Sequence, residues 1–229
     1  MARRTFAATM VSPNYLFGLG LGLSVSTMAR GLSTTAARGL STVARTRGRP
    51  APVRVPRAAV ATTVVRVRPE DNVHEFLLVQ RENPPCAGSW SIPGGKTKLG
   101  ETTLAAAARE IAEETGLGRA SGLKYYPWSI ASSDVIVRDP QNGRLAFHYV
   151  IAQLLAFVRS DAQAVAGDDA SAVMWVTLAE LEQGKLELGG NVYAIFKRAE
   201  HLLQTGAATQ AEAIEVEGDT SVPDYLVER

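Results

Sequence analysis

The stretch GKTKLGETTLAAAAREIAEETGL, residues 95–117, decides how the rest of the chain is interpreted. Thr102 or Thr103 can cap a helix here, and Gly116 is placed to end it. At about 100° per residue, the predicted helix carries an apolar stripe that can dock on a sheet, with a stripe of carboxylates beside it. The apolar stripe comprises Leu104, Ala107, Ala108 and Ile111, and the acidic stripe comprises Glu110, Glu113 and Glu114.

The acidic stripe needs compensation, because like charges three or four residues apart destabilise a helix by roughly a few tenths of a kcal/mol per pair. Glu101, just before the helix, adds a fourth carboxylate. Ligands that are all oxygen favour a hard divalent ion, Mg²⁺ or Mn²⁺, over zinc. Such an ion commonly shares its coordination with phosphate oxygens, which indicates phosphate-ester or pyrophosphate chemistry. The plainer alternative is a solvated acidic helix face, the usual meaning of E-x-x-E-E alone.

The complete spacing is far more specific than that fragment. It runs Gly95, five residues, Glu101, seven residues, Arg109-Glu110-Ile111, one residue, Glu113-Glu114, one residue, Gly116-Leu117. Every position matches the Nudix box, so the chain resembles a Nudix hydrolase. The lead-in RENPPCAGSWSIPGG (residues 81–95) and the second half of the chain resemble bacterial ADP-ribose pyrophosphatase-like members. The resemblance covers about residues 58–203.

This resemblance implies an α/β fold, a Nudix-type α/β/α sandwich with a mixed β-sheet. It implies that Glu110, Glu113, Glu114 and the Gly95 carbonyl bind the metal, Mg²⁺ or Mn²⁺, and that Arg109 orients the glutamates. Glu110 could instead serve as the general base, since that role varies in the family. Some members use an acidic residue in a later loop, for which Asp168 and Asp169 are candidates here. The substrate-binding candidates are Arg81, Trp90, Asp168 and Asp169; a core position for Trp90 and an ordinary exposed turn at 168–169 are the alternatives.

The implied activity is hydrolysis of the pyrophosphate in a nucleoside diphosphate linked to another moiety. ADP-ribose or a nucleoside diphosphate sugar is favoured. The proline that often marks ADP-ribose pyrophosphatases about sixteen residues beyond the box is absent, since Ser132 and Ser133 lie there. House-cleaning of oxidised nucleoside triphosphates is therefore kept as a second hypothesis, and a nucleotide sensor that does not cleave its ligand as a third. Homodimers are common in the resembled group.

The charge of the chain is strongly divided. Eleven of its 24 basic residues, all arginine, and none of its 23 acidic residues lie before Glu70. Residues 1–57 have the Arg-, Ser- and Ala-rich, acid-free composition of a mitochondrial transit peptide, so we expect a disordered leader and delivery to the matrix. A secretory segment at residues 15–25 and a nucleic-acid-binding tail are the alternatives.

The rest of the chain holds 13 basic residues against 23 acidic ones, an excess of negative charge. This argues against nucleic acid as a partner, because phosphate contacts need a basic surface. No apolar run is long enough for stable membrane insertion. Interleaved strand and helix patterns predict one Nudix domain over residues 58–205. Residues 206–229, with six acidic residues against one arginine, are expected to form a flexible tail.

Overall fold

A computed structural model describes residues 55–83, 86–139, 141–168 and 170–216. Residues 1–54 of the leader expected at 1–57 and residues 217–229 lie outside the described residues, as do Pro84, Pro85, Pro140 and Asp169. Among the described residues, no helix combines the length and apolar character needed to cross a membrane.

The described chain alternates short helices with strands of one sheet. The strands are β1 (Arg57–Val67), β2 (His74–Arg81), β3 (Trp90–Ser91), β4 (Lys124–Tyr125), β5 (Ala131–Arg138), β6 (Leu145–Phe157) and β7 (Ala170–Val176). The α-helices are α1 (Thr103–Thr115), α2 (Leu178–Glu182) and α3 (Val192–Gln204), and single 3₁₀ turns lie at Arg119–Ser121 and Gln210–Glu212.

The sheet is mixed. Its order is β3-β2-β1-β6-β4, with β5 also paired to β6 and β7 also paired to β2. β1 and β6 run parallel over nine residue pairs, from Arg57 opposite Tyr149 to Val65 opposite Phe157, and the other pairings are antiparallel. The central strands are therefore covered on both faces, which explains their nearly continuous apolar sequence.

The sheet separates two hydrophobic cores. Alternate residues of the central strands contribute to one core or the other, because successive side chains of a strand point to opposite faces. Val60 and Val64 pack with Ile111 of α1 on one face. Val65 packs with Ile195 and Phe196 of α3 on the other. The predicted α/β/α sandwich with a mixed sheet is thus confirmed.

One predicted strand is divided. The pattern at residues 124–138 predicts a single strand, whereas the structure has β4 and β5 separated by residues 126–130. Both short strands lie along the same edge of β6, since Tyr125 pairs with Ala156 and Ala131 with Gln153. Pro127 in the interruption has no N–H to donate to a neighbouring strand, which accounts for the break.

The expected flexible tail is corrected over residues 206–216. Ala208 is buried in the α3-side core, and Ile214 exchanges two backbone hydrogen bonds of 2.8 Å with Tyr125. The packed fold therefore continues beyond the boundary expected at residue 205. The acidic composition of residues 206–229 suggested a flexible tail, but two apolar side chains within it, Ala208 and Ile214, reach the hydrophobic cores.

Candidate active site

Helix α1 places its glutamates through local signals at both ends. The Thr102 side chain accepts a hydrogen bond from the Ala105 N–H, which satisfies one of the free donors of the first turn. Gly116, at φ 65°, ends the helix in the left-handed conformation that glycine adopts without steric cost. Between these caps, the apolar stripe that includes Leu104 and Ile111 is buried against the sheet. The acidic stripe is thereby left along the edge of the helix.

The loop before α1 lies along the first half of β1 as an additional strand-like segment. The Thr62 N–H donates to the Pro93 carbonyl at 2.8 Å, and the Val60 N–H donates to the Gly95 carbonyl at 2.9 Å. Gly94 permits this close approach, because a Cβ there would lie 2.2 Å from the Val60 carbonyl oxygen. The loop and the acidic edge of α1 consequently face each other.

Arg109 is the centre of the acidic edge. Its Nε and Nη2 donate to the two carboxylate oxygens of Glu101 at 2.8 and 3.0 Å. Its Nη1 donates to Glu110 at 2.7 Å and to Glu113 at 2.9 Å. The remaining contact, 3.0 Å from Nη2 to the Lys96 carbonyl, ties the guanidinium to the loop. Hydrogen bonding by Arg109 lowers the pKa of Glu101.

Glu114 has a different environment. It is 6% exposed, and its Oε2 accepts a hydrogen bond of 2.9 Å from the Gly94 N–H. The Glu110 carboxylate lies against the neighbouring glycine, because a Cβ on Gly95 would be only 2.5 Å from Glu110 Oε1. Two carboxylates therefore flank the Gly94 and Gly95 backbone, one of them deeply buried.

The structure gathers the predicted carboxylates differently from the expectation of one cluster around a cation. Glu101, Glu110 and Glu113 converge on the Arg109 guanidinium, whereas Glu114 bonds to the loop. In the part of the chain that the structure describes, no group of three or more acidic, histidine or cysteine side chains is arranged to hold a metal ion. The Gly95 carbonyl also accepts the Val60 N–H, which leaves it one further lone pair. The metal-ligand set stays a prediction.

One of the candidate substrate residues, Asp168, lies in a loop that contacts the C-terminal half of α1. The Gly167 N–H donates to the Glu114 carbonyl at 3.1 Å, so the loop that carries Asp168 packs on the helix backbone. Asp168 is exposed at φ 48°, and Asp169 lies outside the described residues. Arg81 is half-buried at the end of β2, where it pairs with Ala170 directly after this loop.

Trp90 is half-buried in β3 and packs against the α3-side core. Its indole therefore contributes to the hydrophobic packing, as the alternative reading expected. Sequence reasoning missed the Gly94 N–H and the Lys96 carbonyl, which hold Glu114 and Arg109. Both are main-chain groups, and residue type carries no signal for their use.

Comparison with known proteins decides the family. The family model described as the NUDIX domain matches residues 57–196, more than half of the chain. The chain belongs to the Nudix family. The box that the sequence resembles is thus the box of a Nudix domain, and its helix is α1.

Curated Nudix relatives match over short segments. A putative 8-oxo-dGTP diphosphatase 2 of Mycobacterium tuberculosis is 60% identical over 42 residues, 18% of this chain and 30% of that protein. The human 8-oxo-dGDP phosphatase NUDT18 is 43% identical over 68 residues, 30% and 20% of the two chains. An ADP-ribose pyrophosphatase of Methanocaldococcus jannaschii is 44% identical over 57 residues, 25% and 32%. The chain thus spans about a third or less of these relatives.

Solved structures support the Nudix fold. A Caenorhabditis elegans Ap4A hydrolase in a binary complex aligns with a TM-score of 0.51 at 18% identity, over 65% of this chain and 98% of that one. The Mycobacterium smegmatis Nudix hydrolase RenU aligns with a TM-score of 0.50 at 19% identity, over 65% and 86%. At such identities the likeness concerns the fold alone.

Proposed function

We propose that this Nudix domain is a divalent-metal-dependent pyrophosphohydrolase. It cleaves the pyrophosphate bond of a nucleoside diphosphate linked to another moiety. The observation that carries the proposal is the pair of carboxylates on either side of Gly94 and Gly95, with Arg109 holding the outer one. A merely solvated acidic helix face would not bury Glu114 to 6% exposure or bond it to the backbone of a neighbouring loop.

The chemistry of these donors fits Mg²⁺, with Mn²⁺ as the substitute. Only oxygen donors are present, and the absence of a side chain at Gly95 leaves room for the Glu110 carboxylate beside the backbone. Glu110, Glu113, Glu114 and the Gly95 carbonyl would hold the ion. When bound, it would withdraw charge from the phosphate oxygens and lower the pKa of the attacking water.

The residues of the chain have separate tasks in the proposed reaction. Where Glu113, Glu114 and the Gly95 carbonyl hold the ion, Glu110, whose carboxylate lies against the Gly95 backbone, takes the proton of the attacking water. Arg109 fixes Glu110 and Glu113 in position through its Nη1. The Gly94 N–H holds Glu114 through its Oε2, which keeps a buried carboxylate in one orientation.

ADP-ribose or a nucleoside diphosphate sugar is the substrate we propose first. The similarity of a 57-residue segment of the chain to an ADP-ribose pyrophosphatase, at 44% identity, supports this choice. Oxidised nucleoside triphosphates are the second candidate, because two of the similar proteins are described as acting on 8-oxo-dGTP and 8-oxo-dGDP.

The experiment is a phosphate-release screen with Mg²⁺ and a coupled phosphatase. Its substrates are ADP-ribose, NADH, nucleoside diphosphate sugars, dinucleoside polyphosphates and 8-oxo-dGTP. Glu114→Gln should abolish turnover of whichever substrate is cleaved while the circular dichroism spectrum is unchanged. Glu70→Gln, an exposed glutamate in the turn between β1 and β2, is the matched control. Binding without turnover by the wild-type protein would favour the sensor instead, and full activity of Glu114→Gln would overturn the assignment.

We also propose that the leader expected at residues 1–57 directs the protein to the mitochondrial matrix, with processing before Arg57, the first residue of β1. The support is compositional: this segment contains arginine but neither lysine nor any acidic residue. A fluorescent reporter fused to residues 1–60 should be imported into mitochondria and shortened by processing. A diffuse cytosolic or nuclear signal would refute this localisation.

A further inference from the structure

A cavity of about 590 Å³ lies beside the start of α1, next to the box loop. Its walls come from the beginning of β1, the loop before α1, the beginning of β5 and the middle of β6. The residues that matter chemically are Arg57, Thr97, Glu101, Thr103, Ser129 and Ser132. The cavity therefore shares Glu101 with the Arg109 cluster of the candidate active site.

The charge inside this cavity comes from Arg57. The Glu101 carboxylate is already engaged, because both of its oxygens accept hydrogen bonds from Arg109 and one also accepts the Lys98 N–H at 2.8 Å. Arg57 is exposed, and its side chain makes no hydrogen bond or ion pair within the described part of the chain. A guanidinium in this state is available to bind an anion, and its planar donors suit phosphate in particular.

The remaining polar lining consists of hydroxyl groups. Thr103, Ser129 and Ser132 line the cavity, and so does Thr97, whose Oγ1 is buried without a hydrogen-bond partner among the described residues. Hydroxyl groups both donate and accept, which matches the hydroxyl groups of a sugar. Val150 and Ile151 supply an apolar wall suited to the carbon face of such a ring.

We propose that this cavity binds the sugar-phosphate half of the substrate, a phosphorylated pentose, and that Arg57 is the residue that selects it. The inference rests on the proposed function, since it names the half of the substrate beyond the cleaved bond. Arg57 contacts the phosphate that stays with the sugar, and the serine and threonine hydroxyls contact the ring. The cavity volume of about 590 Å³ is ample for such a group.

The binding test uses ribose 5-phosphate, without metal, titrated into the ¹⁵N-labelled wild-type protein. The expected result is saturable shifts of amide signals from the cavity, among them Ser132. Arg57→Ala should weaken this binding about tenfold or more, as for a lost charged hydrogen bond. Ser132→Phe, which fills the cavity, should prevent it. Arg144→Ala, an exposed arginine in the turn between β5 and β6, is the matched control and should bind as wild type does.

Kinetics separates this proposal from the proposed function. Arg57→Ala should raise KM for ADP-ribose about tenfold and change kcat little, and thermal unfolding confirms that each variant is folded. Glu114→Gln should lose turnover yet still bind ribose 5-phosphate.

If Arg57→Ala and Ser132→Phe both behave as wild type while Glu114→Gln is inactive, the cavity proposal fails and the hydrolase stands. If no substrate is hydrolysed but ribose 5-phosphate binds in an Arg57-dependent way, the hydrolase fails and the cavity remains a sugar-phosphate site. The cavity proposal is overturned if ribose 5-phosphate does not bind. It is also overturned if only free ribose and inorganic phosphate bind, and they shift amide signals outside the cavity.

Discussion

Arg109 and Glu101 form a two-pronged ion pair, in which Nε and Nη2 of the guanidinium each donate to a different carboxylate oxygen. Both side chains are about 15% exposed, so the pair is largely shielded from water. The same guanidinium reaches Glu110 and Glu113. One arginine therefore couples the start of the box to the carboxylates proposed to bind the metal.

We predict that Arg109→Lys reduces Mg²⁺-dependent turnover by about 10–100-fold, the usual effect of losing a residue that orients metal ligands. Lysine retains the positive charge but lacks the planar fork, so it cannot hold Glu101 and Glu110 at once. The measurement is kcat together with the Mg²⁺ concentration for half-maximal activity. The control is Lys98→Ala, which removes a positive charge 4.0 Å from the Glu113 carboxylate without removing a planar guanidinium. Equal losses in both variants would contradict an orienting role.

The two glycines before the box should respond differently to alanine. Gly94→Ala places a Cβ 2.2 Å from the Val60 carbonyl oxygen, which is a clash with the backbone. We therefore expect the free energy of unfolding to fall by about 1–3 kcal/mol, and the variant to unfold at a lower urea concentration. Gly95→Ala instead displaces the Glu110 carboxylate, which costs activity more than stability. Urea unfolding and kcat should be measured for both variants. The prediction fails if Gly95→Ala keeps full turnover.

Glu180 gives the fold a defined dependence on acid. Its carboxylate accepts the Thr177 N–H at 2.8 Å and the Thr177 hydroxyl at 3.0 Å, closing a capping box at the start of α2. The pKa of Glu180 is lowered from its ordinary value of 4.5, and the main cause is the hydrogen bond from the Thr177 backbone N–H. The folded state binds the proton less readily than the unfolded state, so this stabilisation is present above pH 4.5 and is lost as the pH falls through the lowered value.

Glu180→Gln should therefore be less stable than wild type at neutral pH, with a difference that shrinks as the pH falls below 4.5. Urea unfolding between pH 7 and pH 3, without metal, measures this difference. Glu182→Gln on the same helix, outside the capping box, is the control. A constant difference across the range would show that the charge of Glu180 is not the source.

The cap of α1 should contribute measurably to stability. Thr102→Ala removes the side-chain acceptor of the Ala105 N–H, and a lost cap of this kind costs about 0.5–2 kcal/mol. Thr103→Ala, in which the neighbouring threonine does not cap, is the control. Chemical unfolding of the two variants should separate them; equal stability would mean that water replaces the Thr102 contact.

The Nudix helix was predictable in detail because its signals are local. Thr102 and Gly116 mark its ends, and the 3.6-residue period assigns each side chain to a face. The break between β4 and β5 was not predicted, although Pro127 lies within it. The alternation of apolar residues continues through the break, and only pairing with β6 reveals where the ladder stops.

By itself, the sequence determined the family, the extent of α1, the alternation that builds a two-sided sheet, and the residue types available for chemistry. These follow from spacing along one segment, in which neighbours in sequence are also neighbours in space. Only the tertiary structure decided that Glu114 is held by Gly94 while the other glutamates are held by Arg109, and that Arg57 shares a cavity with Thr97 and Ser132. Such contacts join segments far apart in the chain, and their partners are selected by packing and hydrogen bonding that no local pattern records.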